Sequence, residues 1–391
     1  MVVIIGLLFI DLVPLQETMR CEDYTNATEC PDVYFAQSYH DARDKFLTAA
    51  HKAKAEVESH LVVTRGTVDY YMDTAFIKGT RPDHLLVHVS GTHGVEGYTG
   101  SGIQYHLLNH SNETLAQGPS ILFLHALNPY GMAQNRRFNE NNVDLNRNYL
   151  TSEQWKEVLS RDINTGGYEQ FRHLLSPQQA PRLIDRYVFL FTAAKSLVQH
   201  GYAALKRTFV TGQYHDSKGT YFGGREEQKS ITLLREIMKK YSSGVTQSIS
   251  IHVHSGLGKF GVDTIMTSDA RSEELSKVVF PGVKVQDESN ANNGAASGYD
   301  LAMGIVRPCE ELGKNCLSVS QEFGTVNPIF VARALILENA AYHLCPGTYV
   351  HQVMATWVRD AFYPQELSYK TYCPPTRCQC LLCSQEVLGV T

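Results

Sequence analysis

Three short runs in this 391-residue chain set imidazoles and carboxylates where a metal ion could be held. The first is Gly91-Thr92-His93-Gly94-Val95-Glu96-Gly97. A histidine and a glutamate three apart on a tight turn can both reach one ion, and the flanking glycines let the backbone bend. Zinc takes imidazole nitrogen and carboxylate oxygen, and its catalytic sites use three protein ligands with a fourth position open. Spacing alone decides little, because His110-Ser111-Asn112-Glu113 repeats it. That copy follows a helical run and overlaps two glycosylation triplets, so it reads as surface. The second run, His252-Val253-His254-Ser255-Gly256-Leu257-Gly258, closes an alternating strand on which both histidines face the same way. Either could be the third ligand. The third run, Ser320-Gln321-Glu322-Phe323-Gly324-Thr325, puts a carboxylate at the end of another strand.

Arginines stand between these runs. Arg136 and Arg137 precede Val143-Asp144-Leu145-Asn146-Arg147-Asn148, downstream of the turn signal Asn128-Pro129-Tyr130-Gly131. A guanidinium there offers a planar fork to a carboxylate or to a developing oxyanion. Asp144 reads as structural, capping a turn or bracing Arg147. His125, inside an apolar run, reads as a core histidine, and Tyr214, Tyr221 and Tyr299 as packing residues.

The elements that position these runs alternate in type. Asp41 to His60 has helical spacing of Phe46, Ala49, Ala50 and Ala53. His84–Val89 is a short β-rich run ending at Ser90-Gly91, a helix follows through Ile103–Leu108, and Ile121–Leu124 is a second strand. Residues 151–207 read as mostly helical with a break at Pro177 and Pro181, and Ile231–Tyr241 as another helix. Ser248–His254 alternates as a strand, Leu317–Phe323 is a later one, and Val331–His343 is a helix. Strands alternating with helices predict an α/β sheet covered on both faces. In such sheets ligands bind at the carboxyl ends of the strands, where each polar run falls.

In this order, these residues resemble the zinc carboxypeptidase superfamily, and within it a branch related to the succinylglutamate desuccinylase and aspartoacylase group. The motifs are Gly91–Gly97, Asn142–Asn148, His254–Gly258 and Gln321–Thr325, joined by Gly212-Gln213-Tyr214 and Tyr221-Phe222-Gly223-Gly224. The resemblance runs from Val63 to Ala355. It implies an α/β fold with a mixed central sheet of about eight strands and helices on both faces. It also implies one zinc ion ligated by His93, Glu96 and His254. Glu322 would be the general base, and Arg137, or its neighbour Arg136, would polarise the scissile carbonyl. Asn146, Arg147 and Arg136 would hold the substrate's carboxylate. The reaction implied is hydrolysis of an amide bond next to a free carboxylate in a peptide. The alternatives are deacylation of small N-acyl amino acids and a binding protein of the same fold without turnover. Two departures stand out. His252 replaces the acidic residue usual two before the ligand histidine, and Lys259 replaces a common proline.

Composition sets the outer bounds. With 35 Lys+Arg against 40 Asp+Glu, the formal charge is −5 and no basic stripe appears, which argues against a nucleic-acid partner. The apolar run Val2–Ile10 is too short to span a bilayer and lacks a basic n-region, so no stable membrane span is expected. Residues 1–32 read as a leader or arm, 33–356 as the catalytic domain and 357–391 as a tail holding Cys373, Cys378, Cys380 and Cys383. The tail cysteines could chelate a metal, pair as disulfides or be incidental, and the sequons favour secretion or an extracytoplasmic place over the cytoplasm.

Overall fold

The computed structural model describes residues 21, 30–110, 115–288, 301–313 and 315–372. Helix α1 (Tyr39–Lys52) starts where the Ser38 side chain accepts from the Asp41 N–H, and it buries Ala42, Phe46, Ala49 and Ala50. It stops short of the expected His60. Lys54 turns into the left-handed region at φ 56°, and Glu56 begins a strand. That strand, β1 (Glu56–Arg65), forms an antiparallel hairpin with β2 (Val68–Ile77). β1 is the sheet's edge and mostly exposed, so the apolar alternation that marks a strand is weak there.

The strands that follow are buried and easier to read. β3 (Arg81–Val89), α2 (Gly97–His110) and β4 (Pro119–His125) form a parallel unit. Every residue of β4 is buried, as a strand covered on both faces requires. Four helices then form an excursion from the sheet: α3 (Ser152–Ser160), α4 (Tyr168–Leu175), α5 (Asp185–His200) and α6 (Tyr202–Thr211). After α7 (Lys229–Tyr241) come β5 (Gln247–Gly256), β6 (Asp263–Thr267), α8 (Ala270–Val279) and β7 (Lys284–Asp287). β8 (Cys316–Gly324), α9 (Pro328–Leu344) and α10 (Tyr349–Phe362) complete the body.

One mixed sheet of eight strands results, in the order β1-β2-β4-β3-β5-β8-β6-β7. β3, β4, β5 and β8 are mutually parallel, so their carboxyl ends open on one edge. On one face α1 and α2 pack through Phe46, Ile103 and Leu107 against Phe123, Ile251 and Val253. On the other, Ile231, Leu234 and Ile237 of α7 meet Val87, Val89 and Leu122. The expected α/β fold with helices on both faces is the fold observed.

The packed body runs past the expected boundary at 356. Val358, Ala361 and Phe362 of α10 are buried against Val331 and Leu335 of α9, and Tyr363 and Tyr369 are buried beyond them. At the other end Pro31–Tyr34 is a turn of 3-10 helix with Tyr34 in the core, and Lys370 pairs with Asp32. Cys21 is bonded to Cys30 and Cys309 to Cys316. Cys373, Cys378, Cys380 and Cys383, like Tyr299 and the Asn112 sequon, lie outside the described residues.

Candidate metal centre

The loop after β3 carries the first two candidate ligands. Gly91 takes φ +70°, which glycine adopts without strain, and turns the chain off the strand. Gly94 lies so close to the next loop that a Cβ would sit 2.1 Å from the Gly131 carbonyl carbon. The loop is then stitched to residues 136 and 137. Val95 N–H donates to the Arg136 carbonyl at 2.9 Å and Gly94 N–H to the Arg137 carbonyl at 3.2 Å. Asn128 joins the same seam, accepting from Gly131 N–H and donating to the Arg137 carbonyl.

Strand register supplies the rest. In the parallel β5–β8 pair His254 stands directly beside Glu322, at the carboxyl ends of both strands. His254 Nδ1 lies 3.2 Å from His93 Nδ1 and 3.0 Å from Glu96 Oε2, and His93 Nδ1 lies 2.8 Å from Glu96 Oε1. All three side chains are buried. Ligand atoms around one tetrahedral zinc at its usual bond lengths are about 3.3 Å apart, so this donor set fits a single ion with little adjustment. His252 is elsewhere. One pleat back along β5, its Nε2 bonds to Ser250 Oγ at 2.9 Å, and its pKa is pushed down to about 3 by burial and the neighbouring His254. Of the two histidines left open by the sequence, His254 faces the His93–Glu96 pair.

Around the cluster the charges alternate. Burial opposes the charge of Glu96, but His93 and His254 outweigh it and hold the carboxyl below its ordinary range. Glu96 also accepts from the Ser255 N–H at 3.1 Å and from Arg137 Nη1 at 3.3 Å. Asp144 is wholly buried and likewise depressed, since Arg137 and His93 outweigh the burial cost. One of its oxygens lies 3.2 Å from His93 Nε2 and accepts from the Asn146 N–H, and the other accepts from Arg137 Nε at 3.0 Å. Asp144 therefore does cap a turn, but it braces Arg137 and His93 rather than Arg147. A carboxylate behind an imidazole fixes the tautomer that turns Nδ1 inward, toward an ion. Glu322 is the exception. Burial and the nearby Glu96 charge raise its pKa to about 7, while one of its oxygens accepts from the Leu257 N–H at 2.9 Å.

The remaining candidates separate. Arg137 lies over Tyr221 with its tip at Glu96. Arg136 points the other way, into a buried network with Glu338 at 2.7 Å, Asn142 and Asn339, stacked on Tyr342, with its Nη1 left without a hydrogen-bond partner among the described residues. The expected roles of Arg136 in polarising the carbonyl or holding substrate have no geometric basis, because its side chain is fully buried on the far side of the seam. Asn146 spends its side-chain oxygen on the Val306 N–H. Arg147 donates to the carbonyls of Asn146 and Val210, and its Nε is buried without a partner. Sequence reasoning missed the ion pair of Arg307 with Glu288 at 2.6 Å, close enough to Arg147 and His254 for their charges to act on Glu288. No spacing pattern marks that pair. Tyr214 donates to the Arg147 carbonyl, and His125 stacks on Phe46, both as packing residues.

A mixed sheet with a buried His–Glu–His cluster at the carboxyl ends of its parallel strands defines an α/β protein with a candidate metal centre. The family model described as "Protein of unknown function (DUF2817)" matches residues 35–373, and the chain belongs to that family. No curated protein matches it. Among solved structures it is similar to bovine thrombin-activatable fibrinolysis inhibitor in complex with tick carboxypeptidase inhibitor (12% identity, 87% of this chain and 98% of that chain covered, TM-score 0.43). It is also similar to carboxypeptidase A from Helicoverpa armigera (12%, 83% and 74%, TM-score 0.43). A third is a candidate succinylglutamate desuccinylase/aspartoacylase family protein from Shewanella amazonensis SB2B (16%, 73% and 71%, TM-score 0.34). These are the two groups whose motifs the sequence resembles. Likeness this distant carries nothing about activity, which rests on the site.

Proposed function

We propose that this protein is a zinc-dependent hydrolase that cleaves an amide bond next to a free carboxylate, as a carboxypeptidase does. The observation that carries the reading is the convergence of His93, Glu96 and His254 within 4.8 Å, beside a carboxylate on the neighbouring strand. The ion, when bound, would supply Lewis acidity toward water and a carbonyl oxygen. The protein's own groups would do the rest. Glu322 would take a proton from the attacking water and pass it to the leaving nitrogen, and a carboxyl poised at about 7 suits both directions of transfer. Arg137, fixed by Asp144, would meet the developing oxyanion. Arg147, whose hydrogen bonds go only to backbone carbonyls among the described residues, would receive the substrate carboxylate. We place the protein in an oxidising compartment, a reading supported by the Cys21–Cys30 and Cys309–Cys316 bonds.

The test pairs metal analysis with hydrolysis of C-terminally free peptides and of small N-acyl amino acids, with and without chelator. Peptide cleavage that the chelator stops and zinc restores is the expected result. Cleavage of the N-acyl amino acids alone would make the chain a deacylase, and turnover of neither in a protein that holds no stoichiometric zinc would make it a binding protein. Glu322→Gln is expected to retain zinc and lose turnover by about a hundredfold or more. Substantial residual hydrolysis would remove Glu322 from the mechanism.

A further inference from the structure

Helix α5 carries its apolar residues on the wrong side for a core helix. Phe189, Ala193 and Ser196 face inward, while Ile184 just before it, then Tyr187, Val188, Phe191 and Val198, spaced three, four or seven residues apart, form an outward stripe. Phe191 is 62% exposed and Val198 88%, and Tyr202 at the start of α6 continues the stripe at 62%. Of the fifteen large apolar side chains exposed among the described residues, seven fall between 183 and 202, so the exposure is concentrated rather than scattered.

The charge around the stripe is also segregated. Residues 182–207 contain five basic side chains (Arg182, Arg186, Lys195, Lys206, Arg207) and one acidic, Asp185, in a chain whose net charge is −5. Lys195 stands within the stripe itself and is exposed. An apolar helical face with aromatic residues and a cationic surround is the composition of an interfacial helix, which buries its stripe at the headgroup boundary while its lysines reach back to the lipid phosphates. Among the described residues no helix is long and apolar enough to cross a membrane, so the contact would be one of lying on the surface.

We infer that α5 and the start of α6 dock the protein onto an anionic lipid bilayer. The charge decides among occupants. A second copy placed on the same face would bring two cationic surrounds together, at a Coulombic cost. Neither the apolar run Val2–Ile10 nor the segment 373–391, which has one basic and one acidic residue, offers negative charge to match it. An anionic phospholipid surface does.

Flotation of the full-length protein with vesicles tests this, using pure phosphatidylcholine and phosphatidylcholine mixed with phosphatidylserine. The protein is expected to float with the anionic vesicles and to be released at high salt. Phe191→Asp with Val198→Asp removes the inserted face. Arg182→Gln with Lys195→Gln, at about fivefold per cation, lowers binding by at most about 25-fold, less the share of the Arg182 charge that Asp185 already neutralises at 3.0 Å. All four side chains are exposed, so the variants are expected to melt as the wild type does, which separates lost docking from lost folding. Three results would overturn the inference: no preference for anionic vesicles; flotation undiminished in the Phe191→Asp, Val198→Asp variant; or a wild-type dimer in sedimentation equilibrium that this variant converts to monomer.

Discussion

Asp144→Asn is the substitution that asks most of the site. Asparagine keeps the size of the side chain and an oxygen for the Asn146 N–H, so the turn at Leu145–Arg147 should persist. What goes is one negative charge, shared by His93 Nε2 at 3.2 Å and Arg137 Nε at 3.0 Å. Two effects of different size follow. Loss of the carboxylate behind a ligand imidazole costs roughly 10- to 100-fold in metal affinity, or about 1.4–2.7 kcal/mol. Breaking a buried ion pair outright costs about 3–5 kcal/mol. Arg137, however, keeps Glu96 at 3.3 Å, so the loss of folding stability should be smaller, about 1–3 kcal/mol.

The assay must read the two effects apart. Zinc affinity is measured by competition with a chromophoric chelator, and stability by urea unfolding of metal-free protein. Weakened zinc binding together with a modest drop in metal-free stability is the expected pair. If the variant folds with near wild-type stability and binds zinc within threefold of wild type, Asp144 does not orient His93, and the arrangement of charges described here has no functional weight.

Other outcomes follow from the same contacts. Arg136→Met should cost about 3–5 kcal/mol, because Glu338 is left buried without its arginine. Arg136→Met with Glu338→Met should recover most of that loss, and its KM should match wild type; a raised KM in a double variant that binds zinc as wild type does would return Arg136 to the substrate. His88 and His125 are fully buried and their pKa values are pushed down by burial to about 4. Between pH 6.5 and 4 the unfolded chain therefore binds protons the folded one refuses, so stability falls as pH falls through that window and is unaffected by these groups above it. The loss approaches roughly 3 kcal/mol per histidine by pH 4. His125→Gln should flatten the decline of the urea midpoint with acid, and an unchanged slope would remove His125 as a cause.

Much of this architecture was readable because burial and periodicity coincide. β4 and β5 are buried at nearly every position, and α7 and α9 are long and regular, so each stands out in the sequence. The β1–β2 hairpin was not readable. β1 is an exposed edge, and its Glu56–His60 stretch carries no apolar alternation strong enough to compete with the helix preceding it. The short strands β6 and β7 lack length rather than pattern. At the site the ligand residues were legible as types, but the choice between His252 and His254 was not. Both occupy one face of β5, and only the position of the β3 loop relative to the strand end separates them. Asp144 was legible as a cap and not as a partner of His93, since the contact joins chain segments fifty residues apart.

Arg136 and Arg137 show why adjacency in sequence is a poor guide to shared function. Asn135 sits in the left-handed region at φ 54°, and the two residues after it run so that their carbonyls both accept from the β3 loop. The two side chains nevertheless leave on opposite sides. One guanidinium enters the His–Glu–His cluster, and the other anchors α9 through Glu338 and Tyr342. The second is thus part of what holds the first in place. Moving Arg136 would shift the carbonyls that receive Gly94 and Val95, and with them the loop bearing His93 and Glu96. The pair is a single device with a structural half and a chemical half, and the single Arg136→Met variant should lose zinc affinity as well as stability, despite lying outside the coordination shell.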